Sequence, residues 1–227
     1  GILFAKTDLP FRRLFTILFV IPLMIPPYIL ATAWFYFLGR DGYAARILGG
    51  PVGNYTSPFL FGFGGTLLVM VSTLLPVVII LTMTYLRMIN PRLEEAAKLS
   101  ARWSFVLRKI SIPLISPGIF LMGLFVFILT IGEFGVPSSL RFDVFPVESF
   151  IQFSAFYNFN AATAAAIPLG LMTLMILIIE RLFLREKTCQ LRLTREPVII
   201  VPLGKSKLFF LSVVSIAAFI LVIIPIG

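Results

Sequence analysis

Uncharged apolar runs alternate with short charged connections along this chain. Five of the runs reach, or nearly reach, the roughly 20 residues a helix needs to cross the hydrocarbon of a bilayer. They are 14–39, a stretch within 59–86, 112–132, 161–179 and 208–227, and residues 1–5 read as the end of a further helix before them. The fold class expected from this pattern is all-α, a polytopic transmembrane helical bundle. Several runs contain helix breakers: Pro22, Pro26 and Pro27 in the first, Gly62, Gly64 and Gly65 in the second, Pro168 in the fourth. Membrane helices tolerate these where neighbours or water re-satisfy the freed backbone groups. Pro26 and Pro27 leave two alternatives open, a simple kink or a broken helix lining a pathway of the kind transporters use.

Composition agrees with this reading. Hydrophobic residues make up 59% of the chain, charged residues only 13%, and mean hydropathy is +1.03, whereas soluble domains hold about half and about a quarter. A lone cysteine, Cys189, excludes an intrachain disulfide and any cysteine-cluster metal site. The lack of histidine removes the commonest metal ligand and the usual general base. No catalytic residues, cofactor or metal site are therefore expected. The chain begins with Gly1 and stops at Gly227 inside an apolar run, and it reads as a window of a longer protein.

The net charge of +9 raises nucleic acid as a partner until the basic residues are placed. Connections 6–13, 87–109 and 180–207 carry three, six and seven Lys and Arg, while the alternate connections hold only Arg40, Arg46 and Arg141. The positive-inside rule puts the first set in the cytoplasm. Topology and the lipid bilayer thus account for the charge, and no nucleic-acid partner is expected. Glu133, Asp143 and Glu148 fall in an outer connection. Glu133, at the outer end of the third run, joins Pro26 and Pro27 as a candidate pathway residue, because acids at membrane depth face a pathway or a partner. An interfacial, solvated position is the other reading of it.

The segment RLEEAAKLSARWSFVLRKISIP, residues 92–113, carries seven charges in an otherwise greasy chain. Asn90 and Pro91 provide a helix start, and Glu94 and Glu95 fall in the first turns, where the helix dipole favours negative charge. Leu93, Ala96, Ala97 and Ser100 share one narrow face of mostly small residues. Trp103, Val106, Leu107 and Ile110 repeat the spacing in a second segment, and Pro113 is expected to close the element before the third run. Two readings remain at this level: an amphipathic connection lying on the inner leaflet, or a short helix pair offering a small, flat face to a cytosolic protein.

Glu95-Ala96-Ala97, followed by Ile110-Ser111-Ile112-Pro113, resembles the EAA loop of ABC importer permeases. The family pattern has glycine where Ala101 stands, nine residues rather than eight before the isoleucine, and leucine where Ile112 stands. Other stretches are similar to the duplicated permeases of iron(III)-type importers: AKTDLPFRRLF leading into IPPYILATAW, the loop GRDG, then IGEFGVPSSL and IIERLF. These cover most of residues 5–183. The resemblance implies a first permease half over 1–206, lacking its N-terminal helices, and the first span of a second half over 207–227.

What the resemblance further implies is a multi-pass protein of the bacterial inner membrane that does not itself hydrolyse ATP. Two cytosolic ATPase subunits would each receive an EAA helix, with Glu95 as polar contact, Ala96 and Ala97 allowing close approach, and Ala101, Ile110 and Pro113 completing the coupling loop. A periplasmic or extracellular solute-binding protein would deliver the cargo, expected to be ferric iron, to a core completed by a second permease half, fused or separate. The alternatives are another cargo (a polyamine, thiamine, a phosphonate or other oxyanion) or a secondary transporter working without ATP. Leu203-Gly204-Lys205-Ser206 is not a phosphate-binding loop, since Ile199 stands where that motif needs glycine. Asn54-Tyr55-Thr56 has the spacing of a glycosylation acceptor, expected to arise by chance in a bacterial protein. Tyr28, Trp34 and Tyr36 are expected to form an interfacial aromatic belt.

Overall fold

The structure, a computed structural model, describes residues 1–89, 103–186 and 206–226. Among them every regular element is helical. Four helices are long and apolar enough to cross a membrane: Phe63–Arg87, Leu107–Ile131, Phe159–Phe183 and Lys207–Ile226. The predicted first span is instead a pair of helical segments, Arg12–Met24 and Pro27–Leu48, bent by 103° at the break between them.

The cause of the bend lies in two adjacent prolines. Neither Pro26 nor Pro27 has an N–H to continue the ladder of α2 (Arg12–Val20), which tightens first into a 3-10 turn at Ile21–Met24. A residue that precedes proline is also pushed out of the helical region. Ile25 (φ −102°, ψ 129°) and Pro26 (φ −54°, ψ 137°) are accordingly both extended. Pro27 then opens α3 (Pro27–Leu38) at a position where a missing N–H costs nothing. By contrast, Pro76, Pro117 and Pro168 each lie inside a continuous helix.

The central element is α6 (Phe63–Arg87), reached through α4 (Tyr43–Leu48) and α5 (Gly53–Leu60). Three buried clusters follow one another along it. At the Arg87 end, Ala5 of α1 (Ile2–Lys6) packs with Leu86, Ile89 and Ile115. In the middle, Phe4 and Phe19 meet Ile79 together with Val214, Ala218 and Val222 of the last helix. At the Phe63 end, Leu30, Ala31 and Trp34 of α3 meet Leu60, Val69, Met70, Val136 and Leu140. The chain from α1 through α3 therefore travels the length of α6, so the bent pair is a broken crossing rather than a loop that returns to its starting side. The positive-inside rule assigns the Arg87 end to the cytoplasm.

Hydroxyls on α6 are satisfied within the helix. Thr66, Ser72, Thr73 and Thr82 each donate to the carbonyl four residues back. An apolar surrounding favours this local bond, and Thr82 adds a weak contact to the Met122 sulfur at 3.5 Å.

A second continuous helix begins as α7 (Trp103–Val106), passes through a π turn at Leu107–Ser111 and becomes α8 (Ile112–Ile131), which packs on α6. Pro113 therefore does not close an element, as the sequence suggests; the helix runs through it. The outer connection is also more structured than a loop. It holds α9 (Gly135–Ser139) and α10 (Phe145–Ser154), and α10 doubles back along α11 (Phe159–Glu186). The Ser149 hydroxyl donates to the Ala162 carbonyl at 2.9 Å within that hairpin. The last helix, α12 (Lys207–Ala218) continued through a π turn at Phe219–Ile223 into α13 (Ile224–Ile226), lies along α2 and ends on α3. Its first residue, Lys207, pairs with Asp8 at 3.1 Å.

Trp34 is a correction to the aromatic belt. Its side chain is only 2% exposed and belongs to the outer cluster, while Tyr28 and Tyr36 are exposed. The 103° bend turns α3 across α6, which carries Trp34 into the packed interior.

Candidate functional site

The proline break and the outer acid, far apart in sequence, come together. α9 packs on α3 beside the break. Gly135, its first residue, is so close to both neighbours that a Cβ there would stand 3.2 Å from the Glu133 carboxylate and 3.2 Å from the Tyr28 Cβ. The Glu133 Oε1 accepts the Gly135 N–H at 2.9 Å and the Val136 N–H at 3.3 Å. The carboxylate thus caps the first turn of α9, where free N–H groups and the helix dipole both favour an anion. The Glu133 side chain is half-buried by the chain's own elements.

Next to this junction lies a cavity of about 300 Å³ between the starts of α6 and α10, the end of α8 and the middle of α11. Phe63, Leu67, Met70, Phe142 and Met172 give it apolar walls, and Glu133 stands at its edge. Val136 and Leu140, both fully buried in the outer cluster, lock the short α9 against α3 and α6. Glu133 is thereby held at a point where four elements meet.

Of the coupling residues, Glu95, Ala96, Ala97 and Ala101 lie outside the described residues. Ile110 and Pro113 are described and flank the end of the π turn. The Ile112 N–H donates to the Leu107 carbonyl five residues back. Pro113 supplies no N–H, and its ring would crowd the carbonyl four residues earlier. Widening the turn by one residue removes that clash. Ser111 and Ile115 are fully buried on either side of the proline, as is Val106 before the turn. Ile115 belongs to the same inner cluster as Leu86 and Ile89, so the start of α8, just past the turn, is seated against the Arg87 end of α6.

Sequence reasoning missed the π turn, although a signal for it exists. Ile110-Ser111-Ile112-Pro113 and Val222-Ile223-Ile224-Pro225 share a proline two residues past the turn, and both sites widen in the same way. Missed too was the α10 helix, with Pro146 near its start and Val147, Phe150 and Ile151 at helical spacing.

Comparison with known proteins gives a family. The family model described as binding-protein-dependent transport system inner membrane component matches residues 1–187. A Haemophilus influenzae protein named as a ferric transport system permease is 24% identical over 173 residues, covering 74% of this chain and 27% of its own length. An Actinobacillus pleuropneumoniae protein named as a ferric transport system permease is 25% identical over 173 residues, covering 74% of this chain and 25% of its own length. The chain spans about a quarter of the length of the curated relatives it matches.

Proposed function

We propose, from the premise that the chain belongs to the family of binding-protein-dependent transport system inner membrane components, that it forms part of the membrane core of an ATP-driven importer. The observation that carries this reading is the family match over residues 1–187. A separate cytosolic ATPase pair powers the machine from the inner face of a bacterial inner membrane, and an external solute-binding protein supplies the cargo. Ferric iron is the cargo we assign, supported by the names of the two relatives. Residues 207–227 begin a second permease half, a reading supported by the apolar helix Lys207–Ile226 lying beyond the matched residues.

Coupling runs through residues 92–113. The Glu95-Ala96-Ala97 segment docks into the ATPase, and its movement reaches the membrane through α7 and the turn before Pro113. The seating of Ile115 against Leu86 and Ile89 supports this route, because a rotation delivered there bears on two spanning helices at once. Pro26, Pro27 and Glu133 mark the outer side of the pathway in the same reading.

Reconstitution of the intact protein with its ATPase and binding protein, with radioactive iron as tracer, tests the proposal. Uptake should require ATP and should stop in Glu95→Arg or Ala97→Trp, with membrane insertion unchanged. Normal uptake in both variants would overturn the docking assignment. Uptake that ignored ATP depletion and followed a proton gradient would overturn the importer reading. ATP-driven uptake of a polyamine, thiamine or a phosphonate in place of iron would overturn only the cargo.

A further inference from the structure

The outer connection after α3 builds a pocket to which the function above gives no role. About 450 Å³ of space lies between the end of α3, the turn 39–42, α4 and α5. Arg40, Arg46, Tyr36, Tyr43, Ser57 and Asp41 are among the residues that line it. Arg40 and Arg46 are two of the three basic residues that the charge distribution leaves on the outer face.

The backbone carrying these groups is fixed. The Gly39 N–H donates to the Phe35 carbonyl at 2.8 Å, the Gly42 N–H to the Gly39 carbonyl at 2.9 Å, and the Arg46 N–H to the Gly42 carbonyl at 3.1 Å. The Arg40 carbonyl rests on Gly53 of α5, where any Cβ would collide with it. The turn is thereby anchored to α3 on one side and α5 on the other. The Arg46 guanidinium lies 5.8 Å from the centre of the Tyr43 ring, a cation–π contact that holds the charge at the wall. Neither Arg40 nor Arg46 forms an ion pair among the described residues.

Two guanidinium forks, two phenol hydroxyls and the Ser57 hydroxyl can all donate hydrogen bonds into this space. An array of donors with net charge of one sign suits a compact anion with several acceptor oxygens, and the arginine fork matches phosphate geometry in particular. Asp41 sharpens the choice. It lowers the net charge of the three ionised side chains to a single positive one, which suits a singly charged phosphate group. It can also accept the O–H of a protonated phosphate.

We infer that this pocket is an oxyanion site for a singly charged phosphate group, either free phosphate or the phosphodiester of a lipid headgroup. The test places the intact protein in nanodiscs of zwitterionic lipid and titrates inorganic phosphate by calorimetry. In parallel, native mass spectrometry reads the phosphatidylglycerol retained after extraction from mixed bilayers. Saturable phosphate binding without retained phosphatidylglycerol supports the free-anion source, and the reverse supports the headgroup. In either case Arg40→Gln and Arg46→Gln should each weaken the event about tenfold or more, the loss of one charge-assisted contact. Arg141→Gln, which removes the third outer arginine, should leave it unchanged. Arg40→Lys and Arg46→Lys keep the charge but lose the fork, and should weaken binding severalfold in a protein with unaltered melting temperature. The inference is overturned if neither ligand binds saturably, or if binding is the same in all four Arg40 and Arg46 variants.

Discussion

Gly118 of α8 lies against the ring of Tyr85 on α6, so near that a Cβ added there would stand 2.6 Å from the ring. This is where the two central spanning helices approach closely, next to the inner cluster that Ile115 and Leu86 share. Gly118→Val should lower stability by roughly 1–3 kcal/mol, the usual cost of overpacking. Tyr85→Ala should relieve most of that loss in the double variant, a coupling expected of residues in direct contact. Thermal unfolding followed by size-exclusion chromatography in detergent checks both, and additive losses would break the argument.

The Glu133 carboxylate serves as a cap for α9, so its acceptor oxygen matters more than its charge. Glu133→Gln retains an oxygen at the same place and should leave folding and uptake near normal. Glu133→Ala should cost about 1 kcal/mol, the usual price of a lost helix cap. Melting temperature and uptake measured side by side are decisive. Loss of uptake in the glutamine variant with unchanged melting would mean that the negative charge itself acts on the cargo.

Trp34 is buried, and its indole N–H has no hydrogen-bond partner among the described residues. A buried donor without a partner destabilises by about 1–3 kcal/mol, which offsets part of what the ring contributes by packing edge-on against Phe37. Trp34→Phe removes the donor and keeps an aromatic ring, so its net cost should stay within about 1 kcal/mol. Trp34→Ala should cost about 3–5 kcal/mol through the cavity it leaves. Equal losses in the two variants, read by thermal unfolding, would contradict this account.

Pro113 lies two residues past the wide turn at Leu107–Ser111 and suits it, having no N–H to give to an α-helical bond. Pro113→Ala restores an amide N–H and lets the turn close to ordinary α geometry. Melting temperature should hold or rise, because interior proline is the least favourable helix residue. Under the proposed coupling route ATP-driven uptake should fall, since closing the turn rotates the segment before it relative to α8. Unchanged uptake in a variant whose amide exchange shows a regular helix would remove the turn from the coupling route.

Much of this fold could be read from the sequence because a membrane helix leaves a long, simple signal. The four long spans lie where the apolar runs demand them, and Pro168 within Phe159–Glu186 interrupts nothing. What stayed hidden depends on single residues acting through neighbours. Pro26 and Pro27 announce a break, but not that it is a 103° bend that carries Trp34 inward. The small helices of the outer connection are too short to show a clear period, and α9 owes its place to Glu133 and to burial of Val136 and Leu140. The junction of Glu133, Gly135 and Tyr28 joins residues more than a hundred positions apart, which no local pattern encodes. The small-residue face expected of Leu93, Ala96, Ala97 and Ser100 rests on periodicity alone, and these residues lie outside the described ones.

A turn that holds one residue more than the helix around it also changes direction in azimuth. Each residue of an α-helix advances by about 100° around the axis, so everything before Leu107 is rotated by about that angle relative to an uninterrupted helix. The compass bearing of α7, which precedes the turn, is thus written into the length of the turn at Leu107–Ser111. Deleting any one of those five residues would keep every side chain of α8 in place and swing the upstream segment by more than a quarter of a circle. The length of the turn is therefore a setting for the bearing of α7, and an insertion or deletion within it is a change of aim rather than of length.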